Sequence, residues 1–155
     1  MARQPKQIHV YLYRKRGDDY EYAVFRRADM EDCFQGICGG LEGSESYLEG
    51  AKRELFEEAG IEGDYHFREL KCISYLPDNI FDKEARAHWG NEIVVVPMRF
   101  FALEYEGEIK LSEEHSEVRW LPFSEAYELI LFSDQKVALY ELHQRLLRGL
   151  FKDLL

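Results

Sequence analysis

Residues Gly39–Ile61 read GGLEGSESYLEGAKRELFEEAGI, and this stretch decides the fold of the chain. Its two leading glycines allow a tight turn and let the backbone come close to a ligand. Ser46, with Glu49 three residues on, makes a capping box; Leu48, Ala51, Leu55 and Ala59 recur at helical spacing; Gly60 supplies the stop. The spacing therefore predicts a helix over 46–59. At about 100° per residue, Glu54 and Glu58 stand together beside the apolar stripe, and Glu57 lies one step further round. Glutamates four residues apart have Cβ atoms roughly 5–6 Å apart, so these like charges repel unless a cation sits among them. Hard oxygen donors in that arrangement suit Mg²⁺ or Mn²⁺. Gly50, one turn before Glu54, is expected to leave room for whatever occupies that space.

As a pattern, the stretch is Gly39, five residues, Glu45, seven residues, then Arg53-Glu54-Leu55-Phe56-Glu57-Glu58-Ala59-Gly60-Ile61. This resembles the Nudix box with every defining position filled. The competing reading, a solvated acidic helix face, suits three glutamates alone but not the whole pattern. The resemblance implies an α/β fold, an α/β/α sandwich around a mixed sheet, and hydrolysis of an X-linked nucleoside diphosphate by attack of water on phosphorus. It also implies metal ligands at the Gly39 carbonyl, Glu54, Glu57 and Glu58. Arg53 would orient carboxylates by pairing with Glu57 or Glu45.

The family often draws one further glutamate from outside the box. Here LSEEHSEVRWLPFSEA, residues 111–126, resembles the matching region of dihydroneopterin triphosphate pyrophosphatases and asymmetric dinucleoside tetraphosphate hydrolases. Glu114 aligns best, with Glu113 and Glu117 as alternatives, so the expected catalytic set is Glu57, Glu54, Glu114 and Arg53. The preferred substrate on this reading is a nucleoside or pterin triphosphate, and the alternative a dinucleoside polyphosphate. Pro77, about where ADP-ribose-cleaving members carry a proline, points elsewhere. A module that binds nucleotides without hydrolysing them is the reading of another class, but such modules usually lack a box carboxylate and this chain has them all.

Composition is consistent with this reading. A chain of 155 residues with 46% hydrophobic content fits one domain, 1–155. A net charge of −10 argues against a nucleic-acid surface, and bound cations would reverse the local field for a polyphosphate. The sequence has no run apolar enough for a signal peptide or a membrane span, so a cytoplasmic monomer or homodimer is expected. Cys33, Cys38 and Cys72 lack metal spacing and read as buried free thiols.

Working outward, residues 7–15 alternate as a half-buried strand, and Gly17-Asp18-Asp19 turns it into a second strand over 20–27. Arg26 and Arg27 read as solvated strand ends, with Arg27 a candidate phosphate contact. Cys33–Cys38 is a short strand in which Phe34 either packs in the core or lines a base pocket. His66–Leu76 is a strand, 78–91 a loop in which His88 and Trp89 are candidates for stacking on a ring, and 91–105 one or two central strands in which Pro97 implies a bulge or open edge. Residues 117–121 form a short strand, and 122–131 and 133–151 form helices, the second with Leu139, Leu142, Leu146 and Leu150 inward and Glu141, Gln144, Arg145 and Arg148 facing solvent.

Overall fold

The expected hairpin is present and longer than its hydrophobic pattern. In the computed structural model, which describes residues 2–151, β1 spans Arg3–Arg16 and β2 spans Asp19–Arg27. Gly17 turns between them at φ 62°, the left-handed region that favours glycine. The chain continues through β3 (Phe34–Gln35), β4 (Ile37–Glu42), α1 (Tyr47–Ala59), β5 (Arg68–Pro77), β6 (Val95–Glu104), β7 (His115–Pro122), α2 (Phe123–Leu129) and α3 (Ser133–Arg148). The ends of the expected 1–155 unit lie outside the described residues.

The strands form one mixed sheet with α1 on one face and α2 and α3 on the other, an α/β/α sandwich. β1 is its axis: it pairs parallel with β6, while its other edge is shared by two antiparallel partners. β2 takes the end from Leu12 to Arg16, and β4 takes the end from Arg3 to Val10. The Cys33–Cys38 run is thus two strands, because β3 stays with β2 while β4 crosses to β1. Gly36 makes the crossing; a Cβ there would overlap the His9 ring and the Val10 carbonyl.

With partners on both edges and helices on both faces, β1 is buried on both sides rather than half-buried. Ile8, Val10 and Leu12 join Leu55 and Ala59 of α1, while Tyr11 and Tyr13 join Leu139 and Leu142 of α3. His9 is fully buried between Tyr11 and Phe100, and its Nε2 accepts the Gly36 N–H at 3.1 Å. Burial lowers its imidazole to about 3. The unfolded histidine protonates near its ordinary 6.5, so its stabilising neutral form is fully present above that pH and is lost as pH falls toward 3. Relative to His9→Gln, the wild type should therefore lose stability below pH 6.5 with a slope approaching about 1.4 kcal/mol per pH unit, measured by urea unfolding at stepped pH.

α1 departs from the expected helix at Leu48 and Gly50. The capping box of Ser46 and Glu49 and the left-handed Gly60 cap are both present. Leu48, however, is 40% exposed, and the buried face consists of Gly50, Ala51, Glu54, Leu55, Glu58 and Ala59. Gly50 does not open space near the glutamates. A Cβ there would press on the Leu41 side chain at 3.1 Å, so this glycine lets α1 approach β4. Pro97 precedes Met98, where pairing of β6 with β1 begins, so its missing N–H removes no bond from that edge.

Glu141 was expected in solvent and is instead 13% exposed. β5 shifts register between Glu69 and Ile73, which leaves two amides without ladder partners; Glu141 accepts both, from Lys71 at 2.7 Å and Cys72 at 2.9 Å. Arg145 holds the carboxylate from one turn away at 2.7 Å. Glu141→Ala should cost about 1.5–3 kcal/mol, read as a lower urea midpoint with an unchanged m-value. The helix also ends at Arg148, where Gly149 turns left-handed, so Phe151 is buried and Leu150 is 46% exposed.

Candidate active site

Gly39 and Gly40 lie in β4 across from Ile8 and Gln7 of β1, at the end of β1 that β4 covers. The expected tight turn at Gly39-Gly40 is absent, because both glycines continue the β4 ladder against β1 without a positive φ; α1 packs behind them, and the fit is close, since a Cβ on Gly39 would overlap the Glu54 carboxyl group. Glu54 is 7% exposed. Burial raises its carboxyl to about 7, against the opposing pull of Arg53.

Arg53 organises the acids around it. Its guanidinium donates to Glu45 at 2.6 Å, Glu57 at 2.7 Å, Glu54 at 3.1 Å and the Gly40 carbonyl at 2.8 Å. Glu45 in turn accepts the Glu42 N–H at 2.8 Å, which closes the loop between β4 and α1. One side chain thereby orients Glu54 and Glu57 and ties the end of β4 and the loop after it to α1. The charge partners raise the Arg53 guanidinium further and lower the Glu45 carboxyl.

Glu58, one turn beyond Glu54 and buried at 5% exposure, faces the segment before β7. Ser112 Oγ donates to it at 2.6 Å. Burial raises its carboxyl, and the Glu114 carboxyl beside it pushes the same way. His115 Nδ1 lies 3.5 Å from Glu58, but burial lowers this imidazole to about 4, so the contact is with a neutral ring and is not an ion pair. Glu114 is held through its backbone: its N–H donates to Ser112 Oγ, and its carbonyl accepts the Ala28 N–H.

Among the described residues, no three His, Cys, Asp or Glu side chains already meet at one point. The carboxylates are shared out instead, Glu54 and Glu57 to Arg53 and Glu58 to Ser112. The donor set is nevertheless right for a hard cation. It consists of oxygens alone, two of them on buried glutamates one helical turn apart with their carboxyls shifted upward, beside a glycine whose missing Cβ makes room for one of them.

Two cavities adjoin the glycine end of β4, the first bordered by Glu114 and the second continuing from it. An outer cleft of about 550 Å³ is bordered by Arg3, Arg27, Gly39, Gly40, Glu114 and His115. An inner chamber of about 650 Å³ shares Gln7, Arg27, Gln35, Cys38 and Phe81 with it and continues to Gln135 of α3. Arg27 lies where both meet, its guanidinium bonded to Asp29 at 2.7 and 2.9 Å.

Phe34 and Trp89 are placed otherwise than as substrate contacts. Phe34 is 5% exposed, packs in the α3-side core and lies under the Arg119 guanidinium at 4.9 Å. Trp89 donates its indole N–H to the Arg3 carbonyl at 2.9 Å and meets Phe81 edge-on. Phe81 is the aromatic that faces both cavities. Arg3, Gln7, Phe81 and Gln135 carry no motif and are not legible in the sequence, whereas Gln35 belongs to the Phe34-Gln35 pair, which stands where the family often has tryptophan-glutamine. Only position marks Arg3 and Gln7: they pair with Glu42 and Gly40 of β4.

Buried helix glutamates packed behind the glycines of β4, with Gly39, Gly40 and Glu114 bordering a cleft that also carries Arg3 and Arg27, are the apparatus of an enzyme that hydrolyses phosphoanhydrides. The comparisons agree: the NUDIX domain model matches residues 3–142, and the chain belongs to the Nudix family, as a Nudix hydrolase. It is 37% identical over 107 residues to the asymmetrical bis(5'-nucleosyl)-tetraphosphatase of Sus scrofa, covering 68% of this chain and 67% of that protein. The rat enzyme of the same name is 33% identical over 113 residues, covering 68% of this chain and 67% of its own. Among solved structures, a protein from Listeria monocytogenes assigned to the NUDIX hydrolases superposes with a TM-score of 0.83 at 32% identity, covering 94% and 97% of the two chains. The Escherichia coli dihydroneopterin triphosphate pyrophosphohydrolase follows at 0.74 and 19% identity, covering 94% and 99%, a likeness of fold.

Proposed function

We propose that this protein hydrolyses a dinucleoside polyphosphate, in a reaction dependent on a divalent cation held at Gly39, Glu54, Glu57 and Glu58. The observation that carries the choice of substrate is the 37% identity to an asymmetrical dinucleoside tetraphosphatase over two thirds of both chains. The pterin-triphosphate reading rests on a structure only 19% identical, which speaks to fold alone. When bound, Mg²⁺ or Mn²⁺ supplies neutralisation of the phosphate oxygens and acidification of water.

The chain's own residues do the rest. Arg3 and Arg27, on the walls of the cleft, bind non-bridging phosphate oxygens. Arg53 fixes the directions of Glu54 and Glu57, so the carboxylates need no reorganisation when charge develops. Water attacks one phosphorus, the bridging P–O bond on its far side breaks, and the attacking water gives up a proton to a carboxylate. Glu114 is the acceptor that suits this best. It borders the cleft beside Glu58, whereas Glu57 is held by two bonds from Arg53. Glu113, its neighbour on the same wall, is the alternative acceptor.

The test is product analysis with Mg²⁺ and diadenosine tetraphosphate, dihydroneopterin triphosphate, nucleoside triphosphates and ADP-ribose. Cleavage of the tetraphosphate into a nucleoside triphosphate and a monophosphate is expected, at a kcat/KM above the others. A higher kcat/KM for dihydroneopterin triphosphate would replace this reading, and no turnover of any would make the domain a binding module.

A further inference from the structure

The segment that carries Glu114 reaches the site by lying along the end of α1. Gly60 caps that helix in the left-handed region, and the chain comes back to it at Lys110, whose N–H donates to the Ala59 carbonyl at 2.9 Å. A Cβ on Gly60 would meet the Lys110 Cβ at 3.0 Å, so the two segments are in contact. Two residues further on, Ser112 meets Glu58. Its Oγ donates to Glu58 Oε2 at 2.6 Å and accepts the Glu114 N–H at 3.2 Å.

A hydroxyl has one proton to give and lone pairs to receive with, and here both are used. The proton goes to Glu58, and among the described residues no other side chain hydrogen-bonds that carboxylate. His115 Nδ1, 3.5 Å from the same oxygen, makes no hydrogen bond to it. Ser112 therefore takes Oε2 and leaves Oε1 to a cation. On its other side, the Glu114 backbone is held at both ends: its N–H by Ser112, and its carbonyl by the Ala28 N–H at 2.9 Å, next to the Arg27 of the cleft. The Glu58 and Glu114 carboxyls are neighbours of like charge, so without a tie the pair would relax apart.

We propose that Ser112 is a positioning residue: one hydroxyl holds the cation-binding Glu58 and the proton-accepting Glu114 in a fixed relation. This rests on the roles that the proposed function gives those two glutamates. Ser112 is not among the residues that border the outer cleft, so it acts through the carboxylate it bonds and through the backbone of Glu114. Removing the hydroxyl frees Glu58 to turn and lets the two like charges separate. The segment itself stays folded, because the bond from Lys110 to Ala59, the bond from Ala28 to Glu114 and the pairing of β7 with β2 do not involve the Ser112 side chain.

The test compares wild type with Ser112→Ala, which removes the hydroxyl, and Ser112→Thr, which keeps it, each also in a Glu114→Gln background. Urea unfolding first checks that every variant is folded under the assay conditions. Calorimetric titration with Mn²⁺, without substrate, should show the affinity of Ser112→Ala weakened by about 10-fold or more. Its kcat should fall by about 10–100-fold with KM little changed, and Ser112→Thr should recover most of both losses. In the Glu114→Gln background the alanine substitution should cost kcat much less, because the group it places is gone. Wild-type kcat and Mn²⁺ affinity in Ser112→Ala would overturn the inference. So would a folded Ser112→Thr as impaired as Ser112→Ala, or a kcat loss equal in both backgrounds with Mn²⁺ affinity unchanged. If another phosphoanhydride proves to be the preferred substrate, the proposed substrate fails while Mn²⁺ affinity, measured without substrate, still decides on Ser112; a wild type that binds no Mn²⁺ would sink the cation site and the part of Ser112 in it.

Discussion

Glu54→Gln is expected to lower kcat by about 10²–10³-fold and at the same time to raise the thermal midpoint of the metal-free protein above neutral pH. The two effects share one cause. Glu54 is buried under Gly39, and its carboxyl is raised to about 7. The unfolded glutamate ionises near 4.5, so the protonated form favours the fold, fully below pH 4.5 and progressively less as pH rises through 7. At pH 8 the native state holds a desolvated anion; glutamine removes that cost, on the order of 1–3 kcal/mol. Calorimetry at pH 5 and pH 8 checks the sign: the stabilisation by Gln should appear at pH 8 and vanish at pH 5. A variant that lost activity without gaining stability at pH 8 would show that Glu54 is not the strained group.

Arg53 gives the second large effect, and here stability and activity should fall together. Its guanidinium serves three carboxylates and the Gly40 carbonyl. Arg53→Ala leaves Glu45, 17% exposed, without its partner and should cost about 2–4 kcal/mol. Arg53→Lys keeps the charge but has no planar fork to reach Glu45 and Gly40 on one side and Glu57 on the other. It should restore much of the stability while kcat stays down by roughly 10-fold or more. Full activity in the lysine variant would mean that charge alone suffices and that carboxylate orientation is not what Arg53 provides.

The box was legible in the sequence because its chemistry requires given residue types at fixed helical offsets. Ser46, Glu49 and Gly60 set the ends of α1, and once those are set the relative directions of Glu54, Glu57 and Glu58 follow. The same logic failed where a residue's role depends on a partner far along the chain. Glu141 looked like a solvated helix position because its partners are amides at a bulge about seventy residues earlier, which no periodicity announces. Gly50 looked like part of the site because helical geometry put it beside Glu54, while the distance that matters is to Leu41 on another strand. Gln7, Gln35 and Gln135 are three glutamines scattered over the chain until β1, β3 and α3 bring them to one chamber.

The way β1 divides its edge has a practical consequence for handling the protein. The half of β1 that pairs with β4 begins at Arg3, whose side chain borders the outer cleft. The opposite half runs to Tyr13 and Lys15, beside Gly149 and Phe151 at the far side of the molecule. A label attached at Arg3 would therefore sit at the rim of the outer cleft, where it would compete with incoming polyphosphate. A surface tether carried on the exposed Lys15 leaves from the other end of the strand, so immobilised assays and ligand screens should be run on material held from that end.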